Sequence, residues 1–187
     1  MREKRYAEVG KPSRALQFLY SYDELLRFRA AEALGFLCRG NVARDFILRL
    51  FWHLSDESGA YCVGAPLGIA EIGRSNPEVF ASFANKYVSL LDNWEVERKY
   101  VAYGISRVAD IVDRKYAVEK LKEKIEEIRD AEFIAYAAMA LAKLGERVDL
   151  SGFPNELVAV YDGEKILKVR LHDLAVLRTS SDRTNTP

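Results

Sequence analysis

Four ten-residue segments of the chain share one pattern of apolar and small positions. Within each segment, branched apolar residues alternate with alanine, glycine or serine at helical spacing. A column of small residues (Ala33, Gly68, Gly104, Ala140) recurs at separations of 35, 36 and 36 residues. A fixed period of this length predicts a repeat protein, in which each unit buries its apolar face against its neighbours. The segments are FRAAEALGFL (28–37), VGAPLGIAEI (63–72), KYVAYGISRV (99–108) and AYAAMALAKL (135–144).

Each repeated segment is predicted to be the second helix of a helical hairpin. The small residues let a neighbouring helix approach closely, while the branched residues point into the core. A further amphipathic segment precedes each second helix, and Asp23, Asp92 and Asp130 stand where they would cap second helices. We therefore predict an all-α protein, a right-handed α-α superhelix (HEAT-like solenoid) of four hairpins, at about 12–39, 40–75, 76–111 and 112–146.

The helical period stops after Leu144, and a β-hairpin is predicted to follow. The dipeptide Asp162-Gly163 supplies the positive φ angles of a tight turn. We expect this hairpin, within residues 147–178, to cap the last repeat, because it would be marginally stable alone. Residues 1–11 are predicted to form a flexible arm and residues 179–187 a disordered tail. The alternating apolar residues are Leu157, Ala159 and Tyr161 before the turn, and Leu167, Val169 and Leu171 after it.

Charge and composition argue against several classes of protein. Lys plus Arg and Asp plus Glu number 28 each, so no overall field of one sign would attract nucleic acid or an anionic membrane. The apolar runs are shorter than the roughly 20 residues that cross a bilayer, and the N-terminus lacks a secretory signal. We therefore expect a cytoplasmic protein without membrane association. Cys38 and Cys62 form no CxxC pair, which favours reduced, buried thiols.

Three phrases resemble bacterial proteins described as HEAT-repeat or phycobiliprotein-lyase HEAT-like repeat proteins: FRAAEALGFL, WHLSDESGAYCVGAPLGIAEI and YVAYGISRVA. The likeness is closest to a small uncharacterised branch, in which W-x-L-x-D-E-S-G precedes a G-A-P helix and a short hairpin closes the chain. It spans roughly residues 14–178 and implies fold far better than activity. The wider class includes chromophore lyases, an iron hydroxylase, DNA alkylation glycosylases and plain scaffolds. Trp52, Leu54, Asp56, Glu57, Ser58, Gly59, Gly64, Ala65 and Pro66 carry the pattern.

The histidines do not match the hydroxylase branch, which builds a diiron site from several His-Glu dipeptides. Here neither His53 nor His172 precedes a glutamate, so we predict no metal and no cofactor. His53 lies three residues before Asp56 and four before Glu57, which would allow a metal site at a helix end. The more ordinary interpretation is a partly exposed histidine that interacts with a helix dipole.

The segment from Asp56 to Pro66 is the most irregular part of the repeats. Pro66 lacks a backbone donor, so the second helix of this unit must begin nearby or kink. A free helix N-terminus here could hold an anion or a peptide carbonyl group, or Asp56 or Ser58 could cap that helix. The candidate ligand segment comprises Trp52, His53, Asp56, Glu57, Ser58 and Pro66.

Second helices line the concave face of a HEAT-type stack, and the columns that the core does not use predict what this face displays. Tyrosine and arginine there resemble the anchors of protein-binding surfaces. Alternatively, these side chains cover the next helix or face solvent. The predicted partner-binding residues are Arg29, Glu32, Glu71, Arg74, Tyr100, Tyr103, Arg107 and Tyr136.

Two functions remain open from the sequence. The first is a non-enzymatic interaction module that binds a protein or peptide on this concave face. The second is an enzyme of the chromophore-lyase or DNA alkylation glycosylase type that uses Asp56 or Glu57. Neutral net charge and the interspersed Glu32 and Glu71 argue against nucleic acid. The sequence does not indicate an oligomeric state.

Overall fold

The computed structural model describes residues 2–55 and 61–176, which are mostly helical with a two-stranded antiparallel sheet near the C-terminal end. In this part of the chain, no helix is long and apolar enough to span a membrane. The helices are α1 (Arg2–Val9), α2 (Pro12–Phe18), α3 (Glu24–Leu37), α4 (Gly40–His53), α5 (Ala65–Ser75), α6 (Pro77–Phe80), α7 (Ala84–Val88), the 3-10 helix η1 (Ser89–Asp92), α8 (Arg98–Arg107), α9 (Arg114–Glu127) and α10 (Ala131–Lys143). The strands β1 (Leu157–Tyr161) and β2 (Ile166–Arg170) are followed by the 3-10 helix η2 (Leu171–Val176).

Aspartate side chains cap the N-termini of three helices. The carboxylates of Asp23, Asp113 and Asp130 accept backbone N–H groups at 3.1, 2.9 and 2.6 Å, so each satisfies a donor that its helix leaves free. Asp92 does not cap a helix, contrary to our expectation. It lies beside α9, where its carboxylate pairs with Lys120 and Lys124.

The repeated helices α3, α5, α8 and α10 pack against one another in chain order. A Cβ atom added to Gly35 would lie 2.5 Å from the carbonyl oxygen of Glu71, so α3 meets the backbone of α5 directly. A Cβ atom added to Gly104 would lie 2.8 Å from the Cβ of Ala70. The small columns therefore allow the close helix approach that their spacing predicts.

The helices that precede them fall within the four predicted intervals but are less regular. In the third interval the segment is broken into α6, α7 and η1. Phe80 and Tyr87 are both buried there, and the Phe80 ring fills the space that a side chain at Gly73 would need. In the second interval, α5 begins at Ala65, so Pro66 lies in the first helical turn, where its missing N–H costs nothing.

Residues 2–9, which we expected to belong to a flexible arm, form α1. The Tyr6 hydroxyl donates to the carboxylate of Glu32, and its ring lies 6.4 Å from that of Phe36. These contacts hold α1 on α3, because the Tyr6 ring and hydroxyl both gain partners there. The predicted tail, residues 179–187, lies outside the described residues.

The predicted C-terminal hairpin is confirmed, with Val158 paired to Val169 and Val160 to Leu167. Its tight turn is shifted by one residue from the one expected and centres on Gly163 and Glu164, because Asp162 N donates to the carbonyl oxygen of Lys165 at 3.1 Å. The Asp162 carboxylate accepts hydrogen bonds from the backbone N–H groups of Glu164 and Lys165 at 2.6 and 2.8 Å. Gly163 has a φ of +98°, but no described residue other than glycine has a positive φ, so Asp162 does not.

The buried face of β1 also differs from the alternation expected. Val158 and Val160 are buried, whereas Leu157 is 59% exposed. Tyr161, the last residue of β1, is buried as well, because β1 packs against α10 and the Tyr161 ring stacks on Phe28 of α3.

Candidate functional site

The ridge of second helices is buried, which corrects the open concave face expected from the sequence. Tyr100, Tyr103 and Tyr136 are at most 4% exposed. The Tyr161 ring of the hairpin stacks on Phe28 of α3 at 4.3 Å and 15°, and contacts Tyr103 at 6.2 Å. The hairpin therefore lies across the ridge and removes these aromatic side chains from solvent.

The two ridge glutamates are also internal. Glu71 is 1% exposed and accepts hydrogen bonds from Arg107 Nε at 2.6 Å and Arg74 Nε at 2.8 Å. Glu32 accepts hydrogen bonds from the hydroxyls of Tyr6 and Tyr161. Glu32 is thus covered by α1 and the hairpin. Glu71 is instead enclosed by the second helices themselves, since Arg74 belongs to α5 and Arg107 to α8.

Among the eight predicted partner-binding residues, the three arginines keep partly exposed side chains. Arg29 Nη2 donates to the carbonyl oxygen of Glu164 at 2.5 Å, so it joins α3 to the hairpin turn. Arg74 and Arg107 share Glu71. Their charges thus serve contacts within the chain, and the ridge residues do not form one open surface.

The candidate ligand segment is only partly described, because Asp56, Glu57 and Ser58 lie outside the described residues. Trp52 is exposed. His53 is buried rather than partly exposed, with Nδ1 3.2 Å from the Tyr20 hydroxyl and Nε2 3.4 Å from Arg49 Nε. Pro66 is buried too, and its carbonyl oxygen accepts the Tyr87 hydroxyl at 3.0 Å. Neither His53 nor Pro66 therefore presents an accessible ligand group.

The loops that precede α3, α5, α8 and α10 lie along one side of the molecule, which we call the loop edge (residues 19–23, 54–55, 61–64, 93–97 and 128–130). Gly64 N donates to the carbonyl oxygen of Leu19 at 3.0 Å, which links the first two loops. Glu97 N donates to the Tyr61 hydroxyl at 3.0 Å, which links the second loop to the third. These two hydrogen bonds join the described parts of the first three loops.

A pocket of about 230 Å³ opens in the loop edge, where the loops before α8 and α10 meet. The indole of Trp94 lines it and is 78% exposed. Its apolar lining comes from Val96, Ile128 and Phe133. The remaining lining residues are polar or charged: Tyr61, Glu95, Glu97, Arg98, Lys99 and Asp130.

The charged groups of the pocket differ in how they are paired. Lys99 Nζ lies 3.0 Å from Glu24 and 2.5 Å from Glu132, so its charge is neutralised by two carboxylates. Burial alone would lower the pKa of Lys99, but the hydrogen bonds to Glu132 and Glu24 outweigh it and raise that pKa. The carboxylates of Glu95 and Glu97 pair with no cation among the residues that the structure describes.

The structure contains no arrangement typical of metal or thiol chemistry in its described part. Residues 2–55 and 61–176 hold no group of three or more His, Cys, Asp or Glu that could bind a metal ion. Cys38 and Cys62 are buried free thiols, and burial raises their pKa to about 12 and about 11. Such thiols are poor nucleophiles at neutral pH.

Sequence reasoning passed over most of the pocket. Tyr61, Trp94, Glu95 and Glu97 lie in loops outside the aligned columns, and Arg98 is the first residue of α8. The sequence does place a tryptophan, Trp94, in a short polar loop. Because tryptophan is highly buried on average, this position could have indicated a binding site.

Comparison with known proteins gives one relative of nearly the same length. The chain is 64% identical over 175 residues to a protein of Archaeoglobus fulgidus named "Uncharacterized protein", and the match covers 90% of this chain and 96% of that protein. No protein-family model matches the chain. No solved structure matches it.

Proposed function

We propose that this chain, which belongs to the same protein family as the Archaeoglobus fulgidus protein, is a non-enzymatic module that binds a protein or peptide partner at the loop edge. The observation that carries the proposal is the pocket beside the exposed indole of Trp94. The proposed binding site is the loop edge and not the concave ridge that the sequence predicts, because the aromatic side chains of the ridge are buried.

We further propose that the four hairpins form a HEAT-like right-handed superhelix. Two observations support this architecture. The second helices pack in chain order, and their small columns repeat every 35 or 36 residues. In such stacks the cores stay alike, while the loops on one edge are free to differ and to carry recognition.

The chemistry of the pocket supports a protein partner. Tryptophan, tyrosine and arginine are enriched at the centres of protein interfaces, where they carry most of the binding energy. Trp94, Tyr61 and Arg98 meet here. The Asn93 side-chain oxygen accepts a hydrogen bond from the backbone N–H of Glu95 at 3.0 Å. This bond stabilises the loop that carries Trp94. A loop ordered in advance loses little entropy on binding.

The test compares partner recovery for variants that differ in one exposed tryptophan. The tagged full chain, a Trp94→Ala variant and a Trp52→Ala variant are incubated with extract of the source organism, and bound proteins are quantified by mass spectrometry. We expect a partner that the wild type and Trp52→Ala retain and Trp94→Ala loses by about tenfold or more, since an anchor contributes at least about 2 kcal/mol.

A crosslinking control locates the contact. A photoreactive residue placed at Glu95 should crosslink this partner, whereas one at Lys168, exposed on β2, should not. Equal recovery by Trp94→Ala and wild type, together with no crosslink from position 95, would show that the loop edge is not the binding site.

A further inference from the structure

We infer that the pocket accepts a cationic side chain, the guanidinium or ammonium group of an arginine or lysine in the partner. The inference rests on the proposed function and specifies the chemistry of the group that Trp94 and its neighbours bind. Three features carry it: the balance of charge, the aromatic lining and the size of the pocket.

Carboxylates outnumber cations around the pocket. Glu95, Glu97 and Asp130 line it, and Glu24 and Glu132 lie behind them on Lys99. The three carboxylates that line the pocket face two lining cations, Arg98 and Lys99, and the charge of Lys99 is already neutralised by Glu24 and Glu132. A bound cation would therefore gain favourable interactions with Glu95 and Glu97, which have no cationic partner within residues 2–55 and 61–176.

Two helices begin beside the pocket, and their N-termini oppose this balance. Each N-terminus contributes about half a positive charge. The Asp130 carboxylate caps α10 by accepting Phe133 N at 2.6 Å, which offsets one of them. The N-terminus of α8 has no side-chain cap, but its half charge together with Arg98 is still less than the two negative charges of Glu95 and Glu97.

The aromatic lining suits an organic cation. The exposed indole of Trp94 lies in the same pocket as the partly exposed ring of Tyr61. Cations bind over the faces of such rings, and tryptophan is the best of them. Ile128, which is partly exposed, offers apolar surface to the methylene stem that lysine and arginine carry.

The size of the pocket fits one side chain. Its volume of about 230 Å³ is below the range of roughly 300–1,000 Å³ that is common for small-molecule sites. A single long side chain from a partner segment would fill it, with the rest of the segment lying along the loop edge.

The experiment uses the two tryptophans of the full chain as separate reporters. Their indole Nε1–H signals are assigned in the ¹⁵N-labelled protein with Trp52→Phe and Trp94→Phe variants. The protein is then titrated with capped Gly-Arg-Gly and capped Gly-Glu-Gly peptides at equal ionic strength. We expect the arginine peptide to shift the Trp94 signal saturably without moving the Trp52 signal, and the glutamate peptide to shift neither.

A matched pair of variants isolates the charge. Glu95→Gln with Glu97→Gln should weaken binding of the arginine peptide about tenfold, as expected for two exposed ion pairs. Glu78→Gln with Glu126→Gln removes the same charge from exposed sites outside the pocket and should leave binding unchanged. A preference for the glutamate peptide, no shift of Trp94, or equal weakening by both double variants would overturn the inference.

Failure here is distinguishable from failure of the proposed function. If Trp94→Ala loses the protein partner but the arginine peptide does not shift Trp94, the loop edge binds a partner by other chemistry. If Trp94→Ala retains every partner, the proposed function fails whatever the peptides do.

Discussion

Gly104 is the position where the repeat leaves least room. A Cβ atom added there would lie 1.8 Å from the Tyr87 hydroxyl oxygen and 2.8 Å from the Cβ of Ala70. Tyr87 cannot easily move, because it is fully buried and its hydroxyl donates to the Pro66 carbonyl oxygen at 3.0 Å. Even one methyl group must therefore displace a packed ring or a neighbouring helix.

We predict that Gly104→Ala lowers the free energy of unfolding by about 2 kcal/mol, although alanine favours helix, because overpacking outweighs that gain. Urea denaturation followed by circular dichroism measures it. Gly152→Ala is the control, since nothing lies within 4 Å of a Cβ atom there, and it should change stability by less than about 0.5 kcal/mol. Equal stability of the two variants would contradict the close packing at Gly104.

Residue type alone misled the assignment of the ridge. Glutamate, arginine and tyrosine usually keep some exposure, so Glu71, Arg107 and Tyr103 look like surface residues. Their contacts come from residues distant in sequence: Glu71 and Arg107 bind each other across 36 residues, and the Tyr103 ring packs against Phe28 and Tyr161. No local pattern distinguishes a glutamate with such a partner from one that faces water.

At the scale of elements, the C-terminal hairpin contacts both α3 and α10. Tyr161 stacks on Phe28 of α3, and its hydroxyl donates to Glu32 at 2.8 Å. Its backbone N–H donates to the hydroxyl of Tyr136 in α10 at 2.9 Å. The sequence predicts that this hairpin packs against the last helix, and in the structure it also packs against α3.

Replacing Tyr161 with alanine should lower the free energy of unfolding by about 3–5 kcal/mol, because a large buried ring is lost. Tyr161→Phe keeps the ring and leaves Glu32 without one donor, so it should cost about 1–2 kcal/mol. Leu157→Ala on the same strand is the control and should cost less than about 1 kcal/mol, since Leu157 is largely exposed. Guanidinium denaturation ranks the three, and a different order would mean that the hairpin does not dock through Tyr161.

At the scale of the whole molecule, the interior is rich in tyrosine. Burial raises the pKa of Tyr87, Tyr100, Tyr103, Tyr136 and Tyr161. Carboxylates add to the effect, for example Glu24 at Tyr100 and Glu32 at Tyr161. A raised pKa means that the folded protein holds the phenolic proton more tightly than the unfolded chain does.

The stability that these buried tyrosines contribute should therefore be fully present below a pH of about 10, the ordinary pKa of tyrosine. The free energy of unfolding should fall as the pH rises above that value. Lys99, whose pKa is also raised, acts in the same direction above its ordinary pKa of about 10.4. We expect tyrosinate absorbance from the buried rings to rise together with loss of the helical circular dichroism signal. Complete ionisation of all ten tyrosines with the helical signal intact would contradict this burial.

The sequence by itself determined the features that depend on neighbours along the chain. Helical periodicity, the small columns, the caps at Asp23 and Asp130 and the C-terminal hairpin all follow from residues within one or two turns of each other. Tertiary structure alone decided that α1 and the hairpin bury the ridge and that two loops form the pocket at Trp94. Those outcomes depend on contacts between residues far apart in the chain, and such contacts produce no periodic pattern in the sequence.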